Sequence, residues 1–281
     1  MSGAAAVRVV SLNCSNTEIV AALGAGALLV GVDDDSDFPA ERVARLPRVG
    51  RDLDIDVARV AALKPDLVLA SDTVPGHDRV IARLRAAGLP FLAPETTSLA
   101  DVYADVRAIA ERLGVKARGE DLVARMEASI DALRAREADP ADDGAGPATA
   151  RRARPRILVE WWPRPVIVPG ARSWVTDLIG LAGGVNPFGD EPVKSRPVTD
   201  EEVVARDPDA VVICWCGVKP EKHRPEVVFG RAAWRTTRAV REGRVRSIPE
   251  AHLGRPGPRL VEGMRALREL VRDAITPEAR A

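Results

Sequence analysis

The sequence predicts an α/β protein made of two Rossmann-like lobes with parallel-type sheets, joined by one long rigid helix, with a ligand cleft between the lobes. Three observations carry this reading. Strand and helix patterns alternate through the N-terminal third, as they do where helices cover a parallel sheet. Apolar residues at helical spacing then run through residues 98–137: Leu99, Val102, Val106, Ile109 and Leu113, and again Leu122, Val123, Met126, Ile130 and Leu133. The second half repeats the order of the first, which two similar lobes explain. The organisation expected is an N-terminal lobe over 1–114, a spine helix over 115–137, a flexible linker over 138–154 and a C-terminal lobe over 155–281.

Residues 7–12 are a β-branched run and read as a buried strand. Ser15, with Glu18 three residues on, is a capping box that opens a helix closed by Gly24. A second strand at 28–32 leads into an acidic turn, 33–37, and Pro39. The short helix at 56–63 stops at Lys64-Pro65, because the residue before a proline is pushed out of the helical region; a third strand at 66–70 follows. Residues 75–87 form a helix ending at Gly88, and 90–93 a fourth strand. Ser98 and Asp101 give the long helical stretch a capped start, and Gly114 breaks it. The remainder, 115–137, would span roughly 35 Å, about the width of a small domain.

The segment 138–154 is rich in Pro, Gly and Ala and has no period, so it reads as a linker whose basic end (Arg151, Arg152, Arg154, then Arg156) is a solvated run. A strand at 156–161 opens the second half. Thr176-Asp177-Leu178-Ile179, running on to Gly183, echoes Thr17-Glu18-Ile19-Val20, running on to Gly24. Residues 203–209 with a strand at 211–215 echo 60–66 with a strand at 67–70, and 243–249 echoes 88–94. An amphipathic helix over 259–274 closes the chain.

Lys plus Arg equals Asp plus Glu at 41 each, so no net field draws nucleic acid or an anionic membrane. No apolar run approaches the roughly 18 residues a membrane span needs. The first residues carry no basic n-region and pass straight into a strand, so the chain as written is expected in the cytoplasm; a trimmed signal would place it in the periplasm or at the cell surface. Cys214 and Cys216 are too close in a strand-like run to bridge, and the three Cys imply no disulfide framework.

Ligands of parallel α/β sheets bind beyond the carboxyl ends of the strands. Here those loops are 13–16, 71–77, 161–164, 214–219 and 250–256; they hold all three Cys, two of the three His and three of the five Trp. Trp161, Trp162, Trp215 and also Trp174 offer flat amphipathic faces to a large, partly apolar ligand, although core packing explains a lone Trp as well. Cys14 precedes a helix N-terminus, where the dipole lowers a thiol pKa and holds anions. Cys14, Cys214, Cys216, His77 and His252 have the chemistry of a soft metal site, but their spacing matches no standard zinc pattern and Cys is often a small buried residue. The first strand is not followed by a glycine-rich phosphate loop and Gly-x-Ser-x-Gly is absent, so a nucleotide site and a serine hydrolase are not indicated.

Residues 8–24, 29–39 (LVGVDDDSDFP), 57–70 (VARVAALKPDLVLA), 169–188, 198–213 and 248–260, in this order, resemble the substrate-binding proteins of cobalamin and iron-siderophore ABC importers, of the type whose lobes share a single long helix. The cobalamin-binding branch is the most similar. The resemblance implies two α/β lobes with little hinge motion, an interlobe ligand, a membrane permease as partner, a monomer, and no catalytic activity. Three departures stand out. Cobalamin-binding members present large aromatics near the positions of Ser71 and His252. Of the two acidic residues by which members dock on the permease, one matches Asp78, while the other falls at Gly254, with Glu250 nearby. No signal or lipoprotein sequence is visible. Together the departures open a second expectation beside ABC import: a cytoplasmic descendant that binds a corrinoid or related ligand without feeding an importer.

The leading expectation is therefore a binding protein, not an enzyme, with no intrinsic cofactor and a cobalamin-like corrinoid as ligand. Trp161, Trp162 and Trp215 would pack on the macrocycle, Asn13, Ser71 and Arg255 would hydrogen-bond its periphery, and His252 or His77 would approach the cobalt. Cys14, Cys214, Cys216 and Trp174 complete the candidate ligand set. A ferric siderophore or heme is the alternative ligand, with Arg164, Arg172, Lys219 and Arg255 as its cationic partners. A thiol- or metal-dependent enzyme or metal chaperone built on Cys14, Cys214 and Cys216 is the alternative from another class.

Overall fold

The computed structural model describes residues 7–74, 76–135 and 154–275. The linker expected at 138–154, apart from Arg154, and the helix start at Pro75 lie outside the described residues. The chain divides into two compact units, Met1–Arg125 with Pro256–Pro258, and Met126–Arg255 with Arg259–Ala281.

In the first unit, β1 (Val9–Ser11), α1 (Cys14–Ala22), β2 (Leu29–Val32), α2 (Ala40–Val43), α3 (Val57–Ala62), β3 (Leu67–Leu69), α4 (His77–Ala86), β4 (Phe91–Leu92) and α5 (Leu99–Arg112) follow one another, and α6 (Lys116–Ala135) begins. The four strands pair in parallel in the order β2-β1-β3-β4. Val9, Val10, Val68 and Leu69 are fully buried, as expected of strands covered on both faces.

Helix α1 is capped by Asn13, not by Ser15: Asn13 Oδ1 accepts from the Asn16 N–H at 2.9 Å and from Ser15 Oγ at 3.1 Å. A side-chain amide two residues upstream thus takes the orphan N–H, so the helix starts one residue before Ser15. Glu18, the expected reciprocal partner, is buried instead. The break at Gly114 is present, with φ +70°. Beyond it, α6 runs 20 residues, and the boundary between the two units at Arg125 and Met126 falls inside it. Gly119 is where α6 crosses α5: a Cβ there would sit 2.5 Å from Ala110 Cβ.

The second unit contains β5 (Ile157–Glu160), β6 (Trp162–Pro163), β7 (Val166–Pro169), α7 (Trp174–Leu181), β8 (Ser195–Val198), α8 (Asp200–Arg206), β9 (Ala210–Ile213), α9 (Pro225–Phe229), α10 (Arg238–Arg241), β10 (Val245–Ser247), α11 (Glu250–Leu253) and α12 (Leu260–Ile275). Its parallel sheet has the order β10-β9-β5. A second, antiparallel sheet of order β6-β7-β8 stands beside it, and this was not legible in the sequence. Residues expected to be a loop after β5 form a hairpin instead, with Trp162 paired to Ile167 and Pro163 to Val166. The core joins both sheets through Leu158, Val168, Phe188, Val211, Ile213, Trp215 and Trp234.

Candidate functional site

In the first unit the sheet order places the switch point between β1 and β3, where the connections leave in opposite directions. The floor of that edge is a buried polar network. Thr17 Oγ1 donates to Ser11 Oγ at 2.8 Å and lies 2.8 Å from Ser36 Oγ, and Ser36 Oγ donates to the buried Asp33 carboxylate. Arg48 donates from one nitrogen to the Asp33 and Ser36 carbonyls, both at 2.8 Å, and the Cys14 thiol lies 4.0 Å from Asp33 Oδ2. Asn16 Nδ2 reaches across to the Ala70 carbonyl at 2.8 Å, tying the loop after β1 to the loop after β3. A floor satisfied in this way is rigid.

On the same edge stand three exposed apolar side chains that sequence reasoning missed: Phe38 after β2, Val74 after β3, and Leu53, which lies against Gly76. Each is isolated in the sequence among acidic or small residues, so no periodicity marks it. Exposed acids flank them in the chain, Asp34 and Asp37 before Phe38, Asp52 and Asp54 on either side of Leu53 and, in the first turn of α4, Asp78, with Arg51 and Arg79 the exposed cations of the same segments. Ser71 Oγ is engaged with Thr73 Oγ1 at 2.7 Å. His77 is not a free ligand. Its Nε2 lies 3.0 Å from Asp52 Oδ1 and its Nδ1 accepts from the Val74 N–H at 3.4 Å, so both nitrogens hold loop to helix.

In the second unit, the loop after β5 begins with Trp161, whose backbone N–H donates to the Ile167 carbonyl at 2.8 Å and whose backbone carbonyl accepts from the Cys216 N–H at 3.1 Å. The Trp161 ring is half-buried and lies 6.1 Å from the Trp174 ring, tilted by 30°. Trp162 is 40% exposed, with its N–H on the Arg164 carbonyl at 3.1 Å. Arg164, Arg172 and Lys219 are exposed. Glu250 Oε2 accepts from the Gly217 N–H at 3.1 Å and lies 3.8 Å from Arg255 Nη2, so the carboxylate considered for docking braces the loop after β9. His252 is half-buried. Burial, and after it the charge of Arg259, holds its imidazole below the ordinary value, which keeps it neutral at pH 7.

Three expectations are corrected by burial. Cys214 is fully buried, which pushes its thiol well above the usual range and removes it from ligand or redox chemistry. Trp215 belongs to the core. Its N–H donates to Glu160 Oε1 at 2.8 Å, a buried carboxylate also held by Arg231 Nη2 at 3.0 Å, and His223 packs edge-on against its ring at 5.6 Å. Trp174 is likewise buried and donates to the Leu253 carbonyl at 2.9 Å, so it backs Trp161 and does not face solvent. The sequence could not separate these from Trp161 and Trp162, because all four follow strands or open a helix. Asn13 is committed to capping α1. Among the described residues no group of three or more His, Cys, Asp or Glu is placed to hold a metal ion.

Apolar side chains above a fixed polar floor in the first unit, and the tryptophans that follow β5 in the second, suit a protein that holds a ligand, and the comparisons agree with that class. The family model for periplasmic binding proteins matches residues 9–251, and the chain belongs to that family. It is 30% identical over 267 residues, 94% of this chain and 79% of the relative, to an uncharacterized ABC transporter substrate-binding lipoprotein, YvrC, of Bacillus subtilis. It is 29% identical over 210 residues, 74% of this chain and 70% of the relative, to the vitamin B12-binding protein of Yersinia pestis. Among solved structures, the periplasmic heme-binding protein RhuT from Roseiflexus superposes with a TM-score of 0.79 at 29% identity, covering 97% of this chain and all of that one. Among the described residues no helix is long and apolar enough to cross a membrane.

Proposed function

We propose that the protein is the substrate-binding component of an ABC importer, that it works outside the cytoplasm, and that its ligand is a cobalamin-like corrinoid. One observation carries the choice of ligand: the exposed apolar side chains Phe38, Leu53 and Val74 stand among the exposed carboxylates of Asp34, Asp37, Asp52 and Asp54. A corrin is a large, partly apolar ring whose periphery ends in neutral amides, and its cobalt adds positive charge. Heme carries two carboxylates and many ferric siderophores are anionic, so this acidic edge repels them and favours the corrinoid. In the second unit Trp161 and Trp162 are the aromatic candidates, Arg255 the polar one and neutral His252 the nitrogen for the cobalt; in the first unit Ser71 is the polar candidate. The corrinoid is cargo and not a cofactor. The protein acts as a monomer and meets its permease partner through the exposed Asp78.

Heme or a ferric siderophore is the second reading, favoured by the exposed Arg164, Arg172 and Lys219 and by the 29% identity to a heme-binding protein. Titration of the protein with aquacobalamin, cobinamide, hemin and ferric chelates separates the two. Tryptophan fluorescence, corrected for ligand absorbance, and calorimetry are the readouts. The expected outcome is saturable micromolar or tighter binding of both corrinoids, with His252→Ala altering the visible spectrum of the bound form. Binding of hemin or a ferric chelate alone would replace the corrinoid.

A further inference from the structure

The chain has five tryptophans, and four of them place the indole N–H on an acceptor. Trp162 uses the Arg164 carbonyl, Trp174 the Leu253 carbonyl, Trp215 the Glu160 carboxylate, and Trp234 the Asp200 carboxylate at 2.7 Å. Trp161 is the exception: its Nε1 is shielded from solvent and meets no hydrogen-bond acceptor among the described residues. A donor shielded in this way costs more than a bond well made gains, so it calls for an account.

The surroundings of Trp161 give one. Its backbone is pinned at both ends, to Ile167 and to Cys216, so the main chain does not move to satisfy the indole. The ring is only half-buried, follows the carboxyl end of β5, and rests on Trp174, which is itself fixed to Leu253. What remains free is rotation of the Trp161 side chain over that platform. We propose that Trp161 turns on ligand binding and donates its indole N–H to an oxygen on the ligand's rim, so that it reads the periphery of the ring system and not only its face. The acceptor is an amide oxygen of a corrinoid or a carboxylate oxygen of heme, and the inference rests on the proposed binding function.

The test replaces Trp161 with 3-benzothienylalanine, which keeps the bicyclic ring and removes the N–H. Trp174 replaced in the same way serves as the control, and Trp161→Phe is the genetically encoded counterpart. Melting temperature of the unliganded protein and affinity for cobinamide and for hemin are measured for each. The expected result at position 161 is an unchanged or higher melting temperature together with an affinity lower by roughly 5- to 30-fold, the effect of one hydrogen bond. At position 174 the melting temperature falls, since a made bond is lost. The ligand whose affinity drops shows whether the acceptor is an amide or a carboxylate. Affinity within twofold of the parent at position 161 overturns the proposal. So does a melting temperature that falls as far as the position 174 control, which makes Trp161 a structural residue. Failure of the parent protein to bind any of the ligands overturns the functional reading itself, and the inference with it.

Discussion

Single residues here act through what they are already bonded to. Asp105, in α5, accepts from Thr96 Oγ1 at 2.6 Å. Burial pushes its carboxyl up to about 6, the Thr96 bond pulls it back in part, and the nearby Asp101 raises it further. Its folded pKa therefore lies above its unfolded value near 3.8, so between these two values the folded state binds more protons than the unfolded one. The group's contribution to stability is complete below about pH 4 and is lost as the pH rises through about 6. Asp105→Asn keeps an acceptor for Thr96 without the charge. It should melt above the parent at about pH 8, by roughly 1–2 kcal/mol after allowance for partial solvation, and level with it near pH 4. Melting curves across that range check this, and parallel curves would place the carboxyl in water. The residue scale is also where the sequence was least informative about the site. Cys214 and Cys216 sit two apart in one run, yet one is sealed in the core and the other exposed, because β9 ends at Ile213: Cys214 directly follows the strand, while Cys216 already stands in the turn beyond it. Likewise His77 looked like a ligand because histidine is rare in this chain, while its partner Asp52 comes from a segment 25 residues earlier.

At the scale of elements, most of the fold was legible. Parallel strands buried on both faces are continuous apolar runs, and the glycines after α1, α4 and α5 mark where helices end in the left-handed region, with φ of +67°, +66° and +70°. The antiparallel sheet was hidden because Trp-Trp-Pro-Arg-Pro carries no alternation and two prolines. The start of α1 was misplaced because Asn13 and Ser15 both make good caps and only geometry chooses between them. Gly119 illustrates an element contact that no pattern announces. Glycine inside a helix ordinarily costs about 1 kcal/mol relative to alanine, so Gly119→Ala would be expected to stabilise an isolated α6. In the folded protein the added Cβ meets Ala110 Cβ at 2.5 Å, and α6 must shift against α5. The variant should lose roughly 1–3 kcal/mol, seen as a lower denaturation midpoint in urea. A gain would mean that the two helices adjust freely.

For the whole molecule, equal numbers of acidic and basic residues conceal an uneven distribution. The loops of the first unit expose Asp34, Asp37, Asp52, Asp54 and Asp78 against Arg51 and Arg79, and those of the second expose Arg164, Arg172 and Lys219 against Glu221. If the acids govern binding, aquacobalamin, cationic at neutral pH, should bind roughly 2- to 5-fold more tightly than neutral cyanocobalamin at low salt, with the gap closing near 0.5 M salt, where charges are screened within about 4 Å. Calorimetry at two ionic strengths decides, and the reverse order would put the arginines in control. Composition could not show this, because a sum of charges says nothing about where they stand. The three thiols have a practical side. Cys214 is sealed in the core, Cys14 is half-covered beside Asp33, and Cys216 is exposed with its backbone fastened to Trp161. An environment-sensitive dye coupled to Cys216 would be one residue-to-residue bond away from the indole proposed to move. The native chain therefore comes ready for conversion into an optical sensor, with no cysteine to introduce.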